Sequence, residues 1–218
     1  MINFHSHTTF SDGELIPVEL IRRAKVRGYK AIGISDHADH TNLEFMLEKL
    51  LPIKEKYSTH LDIDVVVGVE LTHVPPSLIP GSVDLARKRG AEYVIVHGET
   101  IVEPVAKGTN LAAIEAGVDI LAHPGLISPQ EVRLAAQKGT YLELTTRKGH
   151  AYTNGYVAKL ALEHGAKLLL NDDAHAPSDL LPQELRKKIL LGAGLVEDAW
   201  NLVCKHAEEL LQKILQTR

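Results

Sequence analysis

Seven times along this chain an apolar run of strand length gives way to a stretch with helical spacing, and that alternation restricts it to an α/β arrangement, either an open sheet or a closed barrel. The runs are 2–4 (INF), 30–35 (KAIGIS), 63–69 (IDVVVGV), 92–96 (EYVIV), 118–122 (VDILA), 140–144 (TYLEL) and 166–171 (AKLLLN). Their nearly unbroken apolar character suits parallel strands covered on both faces. Between them, 17–27 reads as a helix with Pro17 in its first turn and Gly28 beyond its end. Asn42 is placed to cap a helix carrying Leu43, Met46, Leu47, Leu50 and Leu51, which Pro52 is expected to kink or divide. Ser82 and Asn110 are the expected caps of the next two helices, and Ser128-Pro129-Gln130-Glu131 is a capping box. Two helices follow the last strand, over 182–191 and about 196–217. The second carries an apolar stripe of Val203, Ala207, Leu210 and Ile214 that is expected to pack on the body of one domain spanning 1–218.

The place where each strand ends decides between sheet and barrel. Six of the seven runs lead into residues able to bind a metal: His5 and His7, His37, Glu70, His97, His123, and Asp173 with His175. Taken singly, each has an ordinary structural explanation, such as a buried, satisfied histidine or a turn residue like Asp12 before Gly13. Their recurrence at one point of the repeating unit does not. In a closed parallel barrel all the C-terminal strand ends surround one mouth, whereas an open sheet spreads them along a line. The distribution therefore predicts a barrel with a shared metal site at its mouth. Eight or nine such ligands exceed what one ion takes, so two or three divalent cations are expected, with Zn, Mn and Fe all suited to mixed imidazole and carboxylate ligation.

The rest of the composition narrows the field. Cys204 is the single cysteine, which excludes an internal disulfide and a thiolate zinc cluster. A net charge of -4 offers no broad attraction to a polyanion, so nucleic acid is an unexpected partner. No apolar run approaches the roughly 20 residues of a membrane helix, and the first residues lack a signal peptide's basic start and apolar core, so a cytoplasmic protein is expected. Neither GxGxxG nor GxxxxGK[ST] occurs, so nucleotide binding of those kinds is not indicated.

Taken together, His5-Ser6-His7, Ser11-Asp12-Gly13, Ser35-Asp36-His37, Gly68-Val69-Glu70, His97-Gly98, Ala122-His123-Pro124 and Asp173-Ala174-His175 resemble the motifs of the PHP (polymerase and histidinol phosphatase) family, over roughly residues 1–180. The resemblance implies a distorted (βα)7, TIM-like barrel with a trinuclear metal centre at the C-terminal ends of the strands. It implies that His5, His7, Glu70 and Asp173 hold one ion, Glu70, His97 and His123 a second, and Asp12, His37 and His175 a third. Asp12 stands where some members place a histidine.

Such a centre suits phosphoester hydrolysis, because closely spaced ions acidify bound water and neutralise phosphoryl oxygens. A phosphomonoester of a small metabolite, on the pattern of histidinol phosphate, is the expected substrate, with Glu70, His97 and Asp173 central to catalysis. Arg147 and Lys148 follow the sixth strand and are expected to meet the phosphate, against the plainer reading of a solvated basic loop. His40, His73, His150 and Lys107 could line the pocket too, against the plainer reading of a position at the surface or behind the ligands. The alternatives are a phosphodiesterase or nuclease of the same family, which would cleave diesters, and a non-catalytic metal-binding scaffold. An amidohydrolase fits less well, since no lysine follows the fourth strand as a bridging ligand.

Overall fold

A computed structural model of the chain describes residues 1–196 and 198–217; Glu197, inside the expected 196–217 helix, and Arg218 lie outside the described residues. Nine strands build the barrel wall: β1 (Ile2–Asn3), β2 (Ala31–Ile34), β3 (His37–Ala38), β4 (Asp64–Val67), β5 (Val69–Leu71), β6 (Val94–His97), β7 (Ile120–Ala122), β8 (Tyr141–Thr145) and β9 (Leu168–Asn171). They correspond to the seven expected runs, with β2 and β3, and β4 and β5, as two halves of interrupted strands. Every pairing is parallel, in the orders β1-β2-β4 and β3-β5-β6-β7-β8-β9. The register does not slip across the interruptions, since Ile34 pairs with Val67 and His37 with Glu70.

Closure depends on side chains as much as backbone. Beyond β1 and β9 a single parallel bridge joins Ser6 to Ala174. Below it, Phe4 N donates to Asn171 Oδ1 at 3.0 Å and Asp172 N donates to Asn3 Oδ1 at 2.8 Å. Two buried asparagines thus supply acceptors that a wider backbone ladder would have provided.

The helices are α1 (Pro17–Val26), α2 (Leu43–Leu61), α3 (Ile79–Lys88), α4 (Thr109–Glu115), α5 (Pro129–Lys138), α6 (Asn154–His164), α7 (Gln183–Gly192) and α8 (Ala199–Gln216). One alternating set of strand residues, including Ile32, Val65, Val67, Val94, Leu121, Leu142 and Leu168, packs outward against helices α1 to α6. The other set points inward. Phe4, Ala31, Val66, Tyr93, Ile95, Ile120 and Leu169 form a second cluster with Ala207, Leu210, Leu211 and Ile214 of α8. Of the apolar stripe on α8, Ala207, Leu210 and Ile214 contribute to the barrel's inner core, while Val203 belongs to the outer cluster. Tyr93 spans this interior and donates to Phe4 O at 2.7 Å. Gly33 and Gly68 make room for it, because a Cβ on Gly33 would stand 2.3 Å from the Tyr93 hydroxyl and one on Gly68 2.8 Å from its ring.

Several local expectations change. Helix α2 runs unbroken through Pro52, which lies on its exposed side; burial of Leu43, Met46, Leu47 and Leu50 outweighs the lost backbone bond. Asn42 and Asn110 do not cap with their side chains. Asn42 ties Asp39 N to His37 O, and Asn110 ties Glu99 N to Pro124 O, so both brace loops at the mouth. Ser82 lies inside α3, which starts earlier at Ile79. The capping box at Ser128 and Glu131 forms as expected. No helix among the described residues is long and apolar enough to cross a membrane.

Candidate metal centre

The inward parity of the strands carries straight into the mouth. Along β6 it runs Tyr93, Ile95, His97, and along β8 it runs Tyr141, Glu143, while Glu70 takes the same place beyond Gly68. His123 and Asp173 arrive differently, at φ of 28° and 49°. Such backbone is unfavourable for residues with a side chain, and its presence at two strand ends on one mouth marks a site held in place by its surroundings. The first loop is folded around Asp36, whose carboxylate accepts from Thr8 N at 2.7 Å, Thr8 Oγ1 at 2.8 Å and Ser11 Oγ at 2.7 Å, and this presents Asp12 to the cluster.

Nine side chains expected from the sequence converge. His5 Nε2 lies 3.2 Å from Glu70 Oε1 and 3.5 Å from Asp173 Oδ1, and His7 Nε2 lies 3.2 Å from Asp173 Oδ1. His123 Nε2 is 3.9 Å from Glu70 and 3.7 Å from Asp173. At the outer edge, Asp12 Oδ1 lies 3.2 Å from His175 and 3.5 Å from His37, whose other nitrogen is 2.6 Å from Glu70 Oε2. His97 stands beside His123, with ring centres 4.5 Å apart. Candidate ligand atoms within 4.8 Å of one another form the groups His5, His7, Glu70; His5, His123, Asp173; His7, Asp12, His37, His175; and His97, His123, His150.

The donor set suits divalent cations, and so does what the buried atoms lack. His5 Nε2, both nitrogens of His7 and of His123, His97 Nδ1, Glu70 Oε1 and Glu143 Oε1 are buried with no hydrogen-bond partner. Apart from Arg186 Nε, all such atoms among the described residues belong to this cluster. Lone pairs turned inward without donors are costly unless a cation meets them. Protonation is divided among the imidazoles. Burial drives His7 down to about 3 and His123 well below its ordinary value, which leaves both free to bind metal. Burial also opposes the charged form of His37, but Glu70 and Asp12 carry it up to about 10. Burial opposes the ionised form of Asp12 too, yet His175 and His37 hold its carboxyl below the ordinary range.

Arg147 lies at the same mouth. Its guanidinium is 2.8 Å from His175 Nδ1, 3.5 Å from Asp173 Oδ2, and donates to Asp173 O at 3.3 Å. Lys148 is exposed and lines a recess beside the cluster with Thr146, Arg147 and Asp179.

Two residues of the mouth, Glu143 and Glu103, were not expected as parts of the site, and a third, His150, was expected there only as lining or support. Glu143 sits inside the sixth strand, the one without a ligand at its end; its carboxylate is 2.9 Å from His5 Nδ1 and accepts from Asn171 Nδ2 at 2.9 Å. An acid on the inward parity of an apolar strand was the signal for it. His150 is buried and within reach of His97 and His123, so of its expected positions the surface one is excluded. Glu103 contacts His97, His150 and His73 at 3.2, 3.3 and 3.4 Å, in a loop whose sequence gives no hint of its course.

A closed parallel barrel whose strand ends gather imidazoles and carboxylates around one mouth defines the class of barrels that bind cations at that end. The PHP domain family model matches residues 3–164, and the chain belongs to this family. An uncharacterized protein of Methanocaldococcus jannaschii is 50% identical over 215 residues, 97% of this chain and 99% of that protein. A protein of Thermoanaerobacter sp. named as a probable phosphatase is 27% identical, over 91% of this chain and 88% of its own length. Among solved structures, a chain from an archaeal ribonuclease P complex with mature tRNA shares the fold with a TM-score of 0.72 at 16% identity, over 98% of this chain and 91% of that one.

Proposed function

We propose that this protein is a metal-dependent phosphoesterase that removes phosphate from a small phosphorylated metabolite, a monoester on the pattern of histidinol phosphate, in the cytoplasm. The observation that carries the reading is the concentration of partnerless buried nitrogen and oxygen atoms at one barrel mouth. Membership in the PHP family and a relative named as a probable phosphatase support it. A net charge of -4 favours a small substrate over a nucleic acid.

Two or three divalent cations, Zn, Mn or Fe, would supply water acidic enough to attack near neutral pH and positive charge for the phosphoryl oxygens. His5, His7, Glu70 and Asp173 would hold one, Glu70, His97 and His123 another, and Asp12, His37 and His175 the third. Glu70 stands between the residues that would hold the first two ions, with Oε1 3.2 Å from His5 Nε2 and 3.9 Å from His123 Nε2. Arg147 is fixed at its inner end by Asp173 and His175, so its remaining guanidinium N–H groups can receive phosphate oxygens as a preset donor pair. Lys148 would add charge at the rim.

The test is phosphate release from a panel of sugar, amino-alcohol and nucleotide monoesters by protein reconstituted with Mn or Zn, beside bis-ester and oligonucleotide controls. Turnover of monoesters that is lost in His97→Ala is the expected result. Absence of release from every monoester, or cleavage confined to diesters, would overturn the proposal.

A further inference from the structure

The mouth contains more ligating side chains than the family resemblance accounts for, and the surplus lies on one side. His150 stands on the short helical turn His150–Thr153 that follows β8, and Glu103 on the loop between β6 and α4. We infer that His150 and Glu103 are direct ligands of the cation held by His97 and His123, so that this ion has a fuller protein shell than its neighbours. The inference rests on the metal-centre reading above.

Orientation supports His150 first. Its Nδ1 is 2.9 Å from the hydroxyl of the buried Thr100, which sets the ring and leaves Nε2 as the atom turned to the cluster. A ligating histidine whose second nitrogen is held in this way is the usual arrangement around protein-bound metals. The ring stacks on His123 with centres 4.2 Å apart and meets His97 edge-on at 5.8 Å. His97, His123 and His150 each present a nitrogen within 4.8 Å of the others, and His97 Nδ1 and both His123 nitrogens have no hydrogen-bond partner. Among these three rings, His123 has neither nitrogen paired, while His97 Nε2 and His150 Nε2 meet only the carboxylate of Glu103, so a cation between them would be met by imidazole and carboxylate lone pairs together.

Glu103 faces the same group with both oxygens, Oε2 toward His97 and Oε1 toward His150. Its loop is closed at the base rather than left free. Glu99 accepts from Gly108 N at 2.9 Å and Asn110 N at 3.0 Å, while Asn110 Oδ1 accepts from Glu99 N and Asn110 Nδ2 donates to Pro124 O. The carboxylate is therefore delivered by a braced loop. Added to Glu70, His97 and His123, His150 and Glu103 would bring this ion to five protein ligands, three imidazoles and two carboxylates, against four for the ion at His5, His7, Glu70 and Asp173, with one of the oxygens supplied by a partly exposed residue.

The test uses full-length protein stripped of metal and titrated with Co2+, whose visible absorption reports the atoms bound to it. His150→Gln and Glu103→Gln should each change the shape and intensity of those bands, and bind one equivalent of Co2+ at least about tenfold more weakly. Affinity alone does not decide the matter, since losing an outer hydrogen-bond partner costs a similar factor. Absorption bands that overlay those of the unaltered protein in both variants would overturn the inference. Should the buried His150 variant not fold, Glu103→Gln decides alone, because its side chain is 37% exposed. Band changes in protein that releases no phosphate from any ester would leave the ligand assignment standing and remove the phosphoesterase reading.

Discussion

At the scale of single residues, the centre depends on groups that never touch a cation. Glu143 is buried behind His5 and holds its Nδ1, so Nε2 is the nitrogen presented to Glu70 and Asp173. Burial raises the Glu143 pKa, and the charge on His5 together with the Asn171 amide works to keep it ionised. Glu143→Ala should therefore weaken metal binding by about 10- to 100-fold while leaving all nine expected ligands in place. Competition with a chelator of known affinity measures it, and unaltered retention would show that His5 needs no such support. The positive φ of His123 and Asp173 belongs to the same logic, because each residue is turned into the mouth at a conformational cost that neighbouring contacts absorb.

At the scale of elements, the strands were the most legible part of the chain and the loops the least. A strand is written in its own residues, and the His, Glu and Asp that end six of the runs could be read directly. Loop courses are set by partners far along the sequence. Asparagine before a helix usually caps it, but carbonyl and amide groups of the adjoining loops, from three to 14 residues away, take the side chains of Asn42 and Asn110 instead. Glu143 lies within a strand and not at its end, so only its inward parity among apolar neighbours marks it. Glu103 and His150 meet only through folding, across 47 positions that carry no shared pattern. The closing seam makes the point testable. Asn3→Ala removes the acceptor for the buried Asp172 N and should cost about 1–3 kcal/mol. Urea unfolding of the metal-free protein checks this, and an unchanged midpoint would mean the backbone bridge at Ser6 and Ala174 suffices.

At the scale of the whole molecule, the metal-free protein should be most stable near pH 6.5. His7, whose folded value is about 3 against an ordinary 6.5, binds fewer protons folded than unfolded between those limits, so its contribution is lost as pH falls below 6.5. His123 is shifted the same way. His37, carried up to about 10, behaves oppositely; its contribution is complete below 6.5 and lost as pH rises toward 10. His5 is likewise raised, by Glu143, Glu70 and Asp173 against the effect of burial. Denaturation midpoints at pH 4.5, 6.5 and 9.5 should form an arch, and a monotonic trend would contradict the assigned protonation states. Bound cations should flatten the alkaline side, since they replace the protons that His37 and His5 hold in their absence.

Helix α8 and Tyr93 together stopper the end of the barrel opposite the metal centre. The molecule is in that respect a cup rather than a pipe, with one doorway shared by everything that arrives and everything that departs. On the proposed function, freed orthophosphate would leave by the mouth through which the ester enters, past Arg147. Added orthophosphate should then compete with the ester, raising KM and leaving kcat unchanged, and a fall in kcat alone would show that phosphate binds where it does not exclude the ester.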